Sequence, residues 1–145
     1  MILATNKKAY FDYQILKTYE AGIELYGFEV KAAKFKKINL AGSYVVIKNH
    51  QAWLINCSIS PYQPKNIPET YQPQRTRRLL LHKKEIIELE TRSKGLTIVP
   101  LKAYTKHGLV KLEIGLAKPR KKVDKRELIK EREAKRKIRT VVYKL

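Results

Sequence analysis

The sequence predicts a mainly β fold, a small antiparallel barrel with flanking short helices and a basic C-terminal tail. Three observations carry this reading. Several short runs alternate apolar and polar residues with the two-residue period of strands. Tight-turn signals at Asn49-His50 and Lys106-His107-Gly108 join such runs into hairpins. From Lys118 to Leu145 the alternation gives way to thirteen lysines and arginines against four acids, a net +9. The chain thus divides into a compact body, 1–117, and a basic arm, 118–145. At 145 residues it is long enough for one domain with a core and an extension, and too short for two ordinary domains.

In chain order, Phe11, Tyr13, Ile15 and Tyr19 alternate with Asp12, Gln14 and Thr18 as a half-buried strand. Glu20-Ala21-Gly22 then reads as a turn with a carboxylate at its tip, and Ile23, Leu25 and Tyr26 as the returning strand, ended by Gly27. Glu29 to Lys37, with Val30 and Ala33 three apart, predicts a short helix crowded on its outer side by Lys31, Lys34, Lys36 and Lys37. Tyr44 to Lys48 and Gln51 to Ile59 read as a hairpin, the second strand placing Trp53, Ile55, Cys57 and Ile59 on one face. Cys57 is then a small core residue. Ser60 to Gln74 holds four of the six prolines and no period, which predicts a long surface loop of the kind that often carries function. Lys83 to Ser93 predicts a helix with Ile86, Ile87 and Leu89 inward, stopped by Gly95. Thr97 to Tyr104 and Leu109 to Leu116 form the last hairpin, its second strand burying Val110, Leu112, Ile114 and Leu116. About six hairpin-joined strands and two short helices suggest a closed antiparallel barrel of oligonucleotide-binding (OB) type.

In the tail, Asp124-Lys125-Arg126-Glu127 has capping-box spacing, so a helix should start there. Glu131→Lys135 and Glu133→Lys137 add i,i+4 pairs worth a few tenths of a kcal/mol each. Leu128, Ile129, Ala134 and Ile138 make no continuous apolar stripe, which predicts a frayed or disordered free tail that becomes helical when a polyanion neutralises it.

The body is basic too, and the net charge of +19 points first to nucleic acid and second to an anionic membrane surface as partner. No apolar run approaches the roughly 20 residues of a membrane span. The first residues, Met1-Ile2-Leu3-Ala4, are too short for a signal peptide's apolar region. A single cysteine allows no internal disulfide and suits a cytoplasmic protein. The inventory argues against an enzyme: His50, His82 and His107 lack metal-ligand spacing, Cys-x-x-Cys is absent, and no glycine-rich phosphate loop occurs. No catalytic residue, cofactor or metal is expected. Arg75, Arg77 and Arg78 beside Tyr62 and Tyr71 combine phosphate-binding forks with rings able to stack on bases.

The segments Asn6-Lys7-Lys8-Ala9, Tyr19-Glu20-Ala21-Gly22-Ile23, Gly27-Phe28-Glu29-Val30-Lys31, Asn39-Leu40, Ser43-Tyr44-Val45, Ile59-Ser60-Pro61-Tyr62, Arg75-Thr76-Arg77-Arg78-Leu79-Leu80-Leu81-His82-Lys83, Gly115-Leu116-Ala117 and Asp124-Lys125-Arg126 follow the order and approximate spacing of one family. Over nearly its whole length the chain resembles the SsrA-binding protein (small protein B) family of bacterial trans-translation. The resemblance implies an OB-type barrel that binds the tRNA-like domain of transfer-messenger RNA as a monomer and carries it to stalled ribosomes. It implies RNA contacts at Asn6, Glu20 and Leu80 with the neighbouring Lys7 and Lys83, and Gly22, Arg75 and Arg77 complete the expected RNA-binding set. It also implies a tail that enters the small-subunit decoding region and mRNA path through Asp124, Lys125, Arg126, Lys130 and Arg132. Pro119-Arg120 and Val123 depart from the family pattern, which usually has Gly-Lys and an aromatic there. The competing expectation is a ribosome-associated structural protein with a basic arm.

Overall fold

The computed structural model describes residues 1–62, 67–121, 126, 128–130 and 132. Among them the chain runs β1 (Ile2–Thr5), α1 (Lys7–Asp12), β2 (Tyr13–Ile23), α2 (Gly27–Lys34), β3 (Ile38–Asn39), β4 (Tyr44–Lys48), β5 (Gln51–Ile55), β6 (Ser58–Ile59), β7 (Arg77–Leu80), α3 (Lys83–Arg92), β8 (Thr97–Lys106) and β9 (Leu109–Pro119). The fold is mainly β. Seven strands form one antiparallel sheet in the order β1-β8-β4-β5-β7-β2-β9, and β9 pairs back onto β8. The pairings from β8 through β4, β5, β7, β2 and β9 therefore return to β8, with β1 added as a flap; β3 and β6 pair separately.

The inward face of this ring is the core. Along β9, Val110, Leu112, Ile114 and Leu116 are all buried, as the two-residue period predicts. They meet Leu54, Leu79 and Ile98 from across the sheet. Each fully buried leucine or isoleucine contributes about 1.5–3 kcal/mol of transfer free energy. The outer face of β9 is also covered near its end, where Ala117 packs with Ala9 of α1, Val99 and Leu101. That cover needs small residues: a Cβ on Gly115 would come within 3.0 Å of both Ile15 and Leu101.

Two expected turns are present. Asn49 and His50 both have positive φ, 53° and 59°, as do His107 and Gly108, 51° and 78°. These are the values of two-residue hairpin turns whose twist matches the flanking strands. Gly95, at φ 74°, turns the chain from α3 into β8.

The structure corrects several local expectations. Glu20-Ala21-Gly22 is no turn; β2 runs unbroken through it, pairing Glu20 with Glu113 and Gly22 with Lys111 of β9. Gly22 also pairs with Leu80, and a Cβ there would lie 3.2 Å from the Leu80 Cβ. The glycine serves close strand approach rather than a reversal. Phe11 and Asp12 belong to α1, and Tyr26 is the N-cap of α2, which begins two residues earlier than expected. In β5 the buried residues are Ala52 and Leu54, while Trp53 and Ile55 are half-buried outward. Asn56, at φ 66°, resets the phase, so Cys57 and Ile59 do face the core. Burial pushes the Cys57 thiol up to about 11, which keeps it protonated and unreactive at neutral pH. Only Leu89 of α3 is fully buried, and Ile87 is exposed. β9 continues through Pro119, two residues past the expected body boundary, and the Arg120 N–H donates to the Asp12 carbonyl at 2.9 Å.

Candidate nucleic-acid interface

The arginine cluster is built around a buried carboxylate. Glu29 sits at the third position of α2, where the helix N-terminus favours negative charge. It is fully buried, and so is Arg77. The carboxylate accepts from the Tyr26 N–H at 2.9 Å, the Tyr71 hydroxyl at 2.8 Å, and Arg77 Nε and Nη2 at 2.9 and 2.6 Å. Arg75 donates to it through Nε at 3.2 Å and again through Nη2. Arg77 has its remaining donors on the carbonyls of Cys57, Pro73 and Arg75, at 2.7, 2.8 and 3.1 Å. Burial would raise the Glu29 pKa, but the hydrogen bonds from Arg75, Tyr26, Arg77 and Tyr71 outweigh it and hold the group below the ordinary carboxylate value.

This geometry corrects the reading of Arg77 as a phosphate fork. Every donor direction it has is satisfied inside the protein, and it ties Pro73 to α2 and β7. Arg75 keeps partial exposure and lies 4.2 Å from the Tyr26 ring centroid. Asn6 is likewise an internal residue. Its amide donates to the carbonyls of Pro100 at 2.9 Å and Leu40 at 3.3 Å, and its Oδ1 accepts from the Ala9 N–H as the cap of α1. An N-cap of this kind is worth about 0.5–2 kcal/mol, and it leaves no free side-chain donor for RNA.

Of the other body residues, Lys7, Glu20, Leu80 and Lys83 are exposed, Arg75 is half-buried, and Gly22 is buried beneath Leu80. Leu80 is 50 % exposed and seated on Gly22. Glu20, on the same strand as Gly22, accepts from the Tyr104 hydroxyl at 2.5 Å and from Lys106 Nζ at 3.2 Å. Those two bonds hold its carboxyl below the ordinary range, so it is an oriented, ionised acceptor at neutral pH. Across the sheet the row Glu20, Glu113, Lys102, Thr5 leads to α1, whose exposed Lys7 follows two residues later. Three strand spacings separate Glu20 from Thr5, roughly 14 Å. Lys83 is exposed at the start of α3, three residues beyond Leu80. Tyr104 and Lys106 were not legible as partners of Glu20, since the contacts span 84 and 86 residues.

In the tail, Asp124 and Lys125 lie outside the described residues. Arg126, Lys130 and Arg132 are helical and exposed, and the Arg132 guanidinium stands 5.7 Å from the Phe11 ring of α1.

Comparison with known proteins places the chain in a family. The family model described as SmpB protein matches residues 3–144. The chain belongs to the SmpB family. Among its SmpB relatives, the SsrA-binding protein of a Sulfurihydrogenibium species is 52% identical over 139 residues, spanning 94% of this chain and 91% of that protein. That of Thermosipho africanus is 54% identical over 140 residues, with 94% and 93% covered. A solved SmpB structure, described as "tmRNA-SmpB: a journey to the center of the bacterial ribosome", superposes with a TM-score of 0.68 at 42% identity, covering 82% of this chain and 85% of that one.

Proposed function

We propose that this SmpB-family chain is a cytoplasmic RNA-binding adaptor that binds the tRNA-like domain of transfer-messenger RNA and delivers it to stalled ribosomes for trans-translation. The observation that carries it is the 42% identical structural neighbour on the ribosome, matched over four-fifths of the chain. The closed cycle of strand pairings supports the finer reading of the fold as an OB-type barrel. No described helix is long and apolar enough to cross a membrane. The work is binding and positioning rather than catalysis.

The contact surface is the outer face around Glu20, Gly22 and Leu80, flanked by Lys7, Lys83 and Arg75. Leu80 offers an apolar plate for a sugar or base edge. Glu20 offers an oriented acceptor for base amino or imino groups or ribose hydroxyls, which discriminates structured RNA in a way that cations alone do not. The body spans residues 1 to about 120, and the following basic residues enter the mRNA path as a helix. The deciding experiment is a competition between the tRNA-like RNA and a duplex of equal length. An adaptor prefers the first, and a generic basic ribosome-associated protein binds both alike.

Leu80→Asp and Glu20→Ala are expected to weaken tRNA-like RNA binding roughly tenfold or more, the worth of one charged or desolvated contact. Both sites are exposed, so urea midpoints should barely move, and Glu20→Ala also relieves the like-charge pairing with Glu113. A folded Glu20→Ala protein with unchanged affinity would remove that residue from the surface. Lys7→Ala and Lys83→Ala should instead weaken binding to many RNAs and lower the salt slope by about 0.7–0.9 each. Unchanged slopes in both would place the phosphate contacts elsewhere.

A further inference from the structure

Two cavities open side by side beyond the arginine cluster, of about 420 and 390 Å³, both within the roughly 300–1,000 Å³ of ligand pockets. Tyr26 and Arg75 line both. The first adds Phe28, Tyr71 and Gln72, and the second adds Trp53, Arg78 and the carboxylate of Glu24. Tyr26 is 54 % exposed, offset-stacked on Phe28 at 5.6 Å, and Phe28 meets Tyr71 edge-on at 4.9 Å. Four aromatic rings thus gather at one open site in a strongly basic chain. The Glu29 bonds hold the Arg75 guanidinium still, as a flat plate against Tyr26 rather than a mobile phosphate fork. Arg78 is bound only loosely, 3.9 Å from the exposed Glu24, and is free to turn to a phosphate. Gln72 brings an amide with both donor and acceptor to the first cavity.

Flat apolar faces beside cations and an amide suit a planar base on an anionic backbone. We infer that the two cavities hold two successive unpaired nucleotides of RNA, their bases on either side of the Tyr26–Arg75 stack. The site deepens the RNA-binding reading above and rests on it. It continues the Leu80 surface along β7, because Arg78 and Leu80 are both exposed two residues apart, roughly 7 Å. It would therefore take a single-stranded segment flanking the structured domain. Stacking makes it tolerant of sequence.

The chain's only tryptophan, Trp53, lines the second cavity and reports on it. The test titrates the full chain with a single-stranded RNA hexamer and with an abasic oligomer of equal charge, following Trp53 fluorescence. The hexamer should quench it and bind about tenfold or more tighter than the abasic oligomer. Tyr26→Ala should remove about tenfold of that affinity while the protein stays folded with a modestly lower urea midpoint, and Tyr26→Phe should keep both. Equal binding of the two oligomers, or a folded Tyr26→Ala protein that binds the hexamer normally, overturns the site. So does quenching by an acidic peptide at the affinity of the hexamer. Preference for the tRNA-like RNA over duplex is measured in parallel with the same proteins. If that preference is absent while the hexamer behaves as expected, the adaptor reading fails and the nucleotide site stands; the converse sinks the site alone.

Discussion

Glu29→Ala is expected to cost about 3–5 kcal/mol, because it leaves the wholly buried Arg77 without its counter-charge. That is a large part of the roughly 5–15 kcal/mol that stabilises an ordinary domain. It would appear as a large fall in the urea midpoint and as earlier proteolysis around Tyr71 and Pro73, which Glu29 and Arg77 tie to α2. Replacing Glu29 and Arg77 together by methionine should recover part of the loss, since it removes the wholly buried pair and leaves only the partly exposed Arg75 to turn toward solvent. A loss below about 1 kcal/mol for Glu29→Ala would mean that water reaches the site and screens it. The pH dependence has a definite sign. The folded pKa of Glu29 is depressed, so its contribution is fully present above the unfolded value near 4.5 and is lost as pH falls through the folded one. The wild type should weaken with acid below that point, and the double methionine variant should weaken less.

Removal of the tail is expected to separate RNA binding from rescue. β9 ends at Pro119, and Arg120 is tied to α1 and β2 by its N–H to Asp12 and its Nε to Tyr13 at 3.1 Å. Truncation after Lys121 therefore spares every described strand, and the urea midpoint and tRNA-like RNA affinity should be nearly unchanged. Peptide tagging on stalled ribosomes should be abolished. A net +9 on a helix-competent arm suits a channel walled by rRNA phosphates, where the entropy of ordering is offset by counterion release. Loss of RNA affinity together with tagging would make the tail part of the RNA surface. Survival of tagging would make it dispensable.

The parts of this molecule that follow local rules were legible in its sequence. The 44–55 and 97–119 hairpins announce themselves by alternation and turn residues, and α3 by its period and Gly95. What misled is equally physical. Glu20-Ala21-Gly22 has turn composition, but its glycine answers the side chain of Leu80 from a strand 58 residues away, which no local window contains. Arg77 carries the residue type of a phosphate ligand, yet a buried carboxylate at the start of α2 claims it. The alternation from Trp53 to Ile59 conceals the left-handed Asn56, so the face exchange inside it is invisible without the backbone. Leu80, ordinarily a core residue, stands exposed because Leu79 takes the inward position in β7. Site residues assembled across strands, such as Tyr104 and Lys106 around Glu20, leave no mark on sequence spacing.

The central claim is that this surface selects one structured RNA rather than polyanions in general. Its most direct measurement is recovery of the RNA bound to the full-length protein in cells, compared with that bound to Leu80→Asp. The account expects one dominant transfer-messenger species on the wild type and its loss on the variant, with the protein still folded. A broad mixture of ribosomal and messenger fragments on the wild type, or the same dominant species retained by Leu80→Asp, would contradict it.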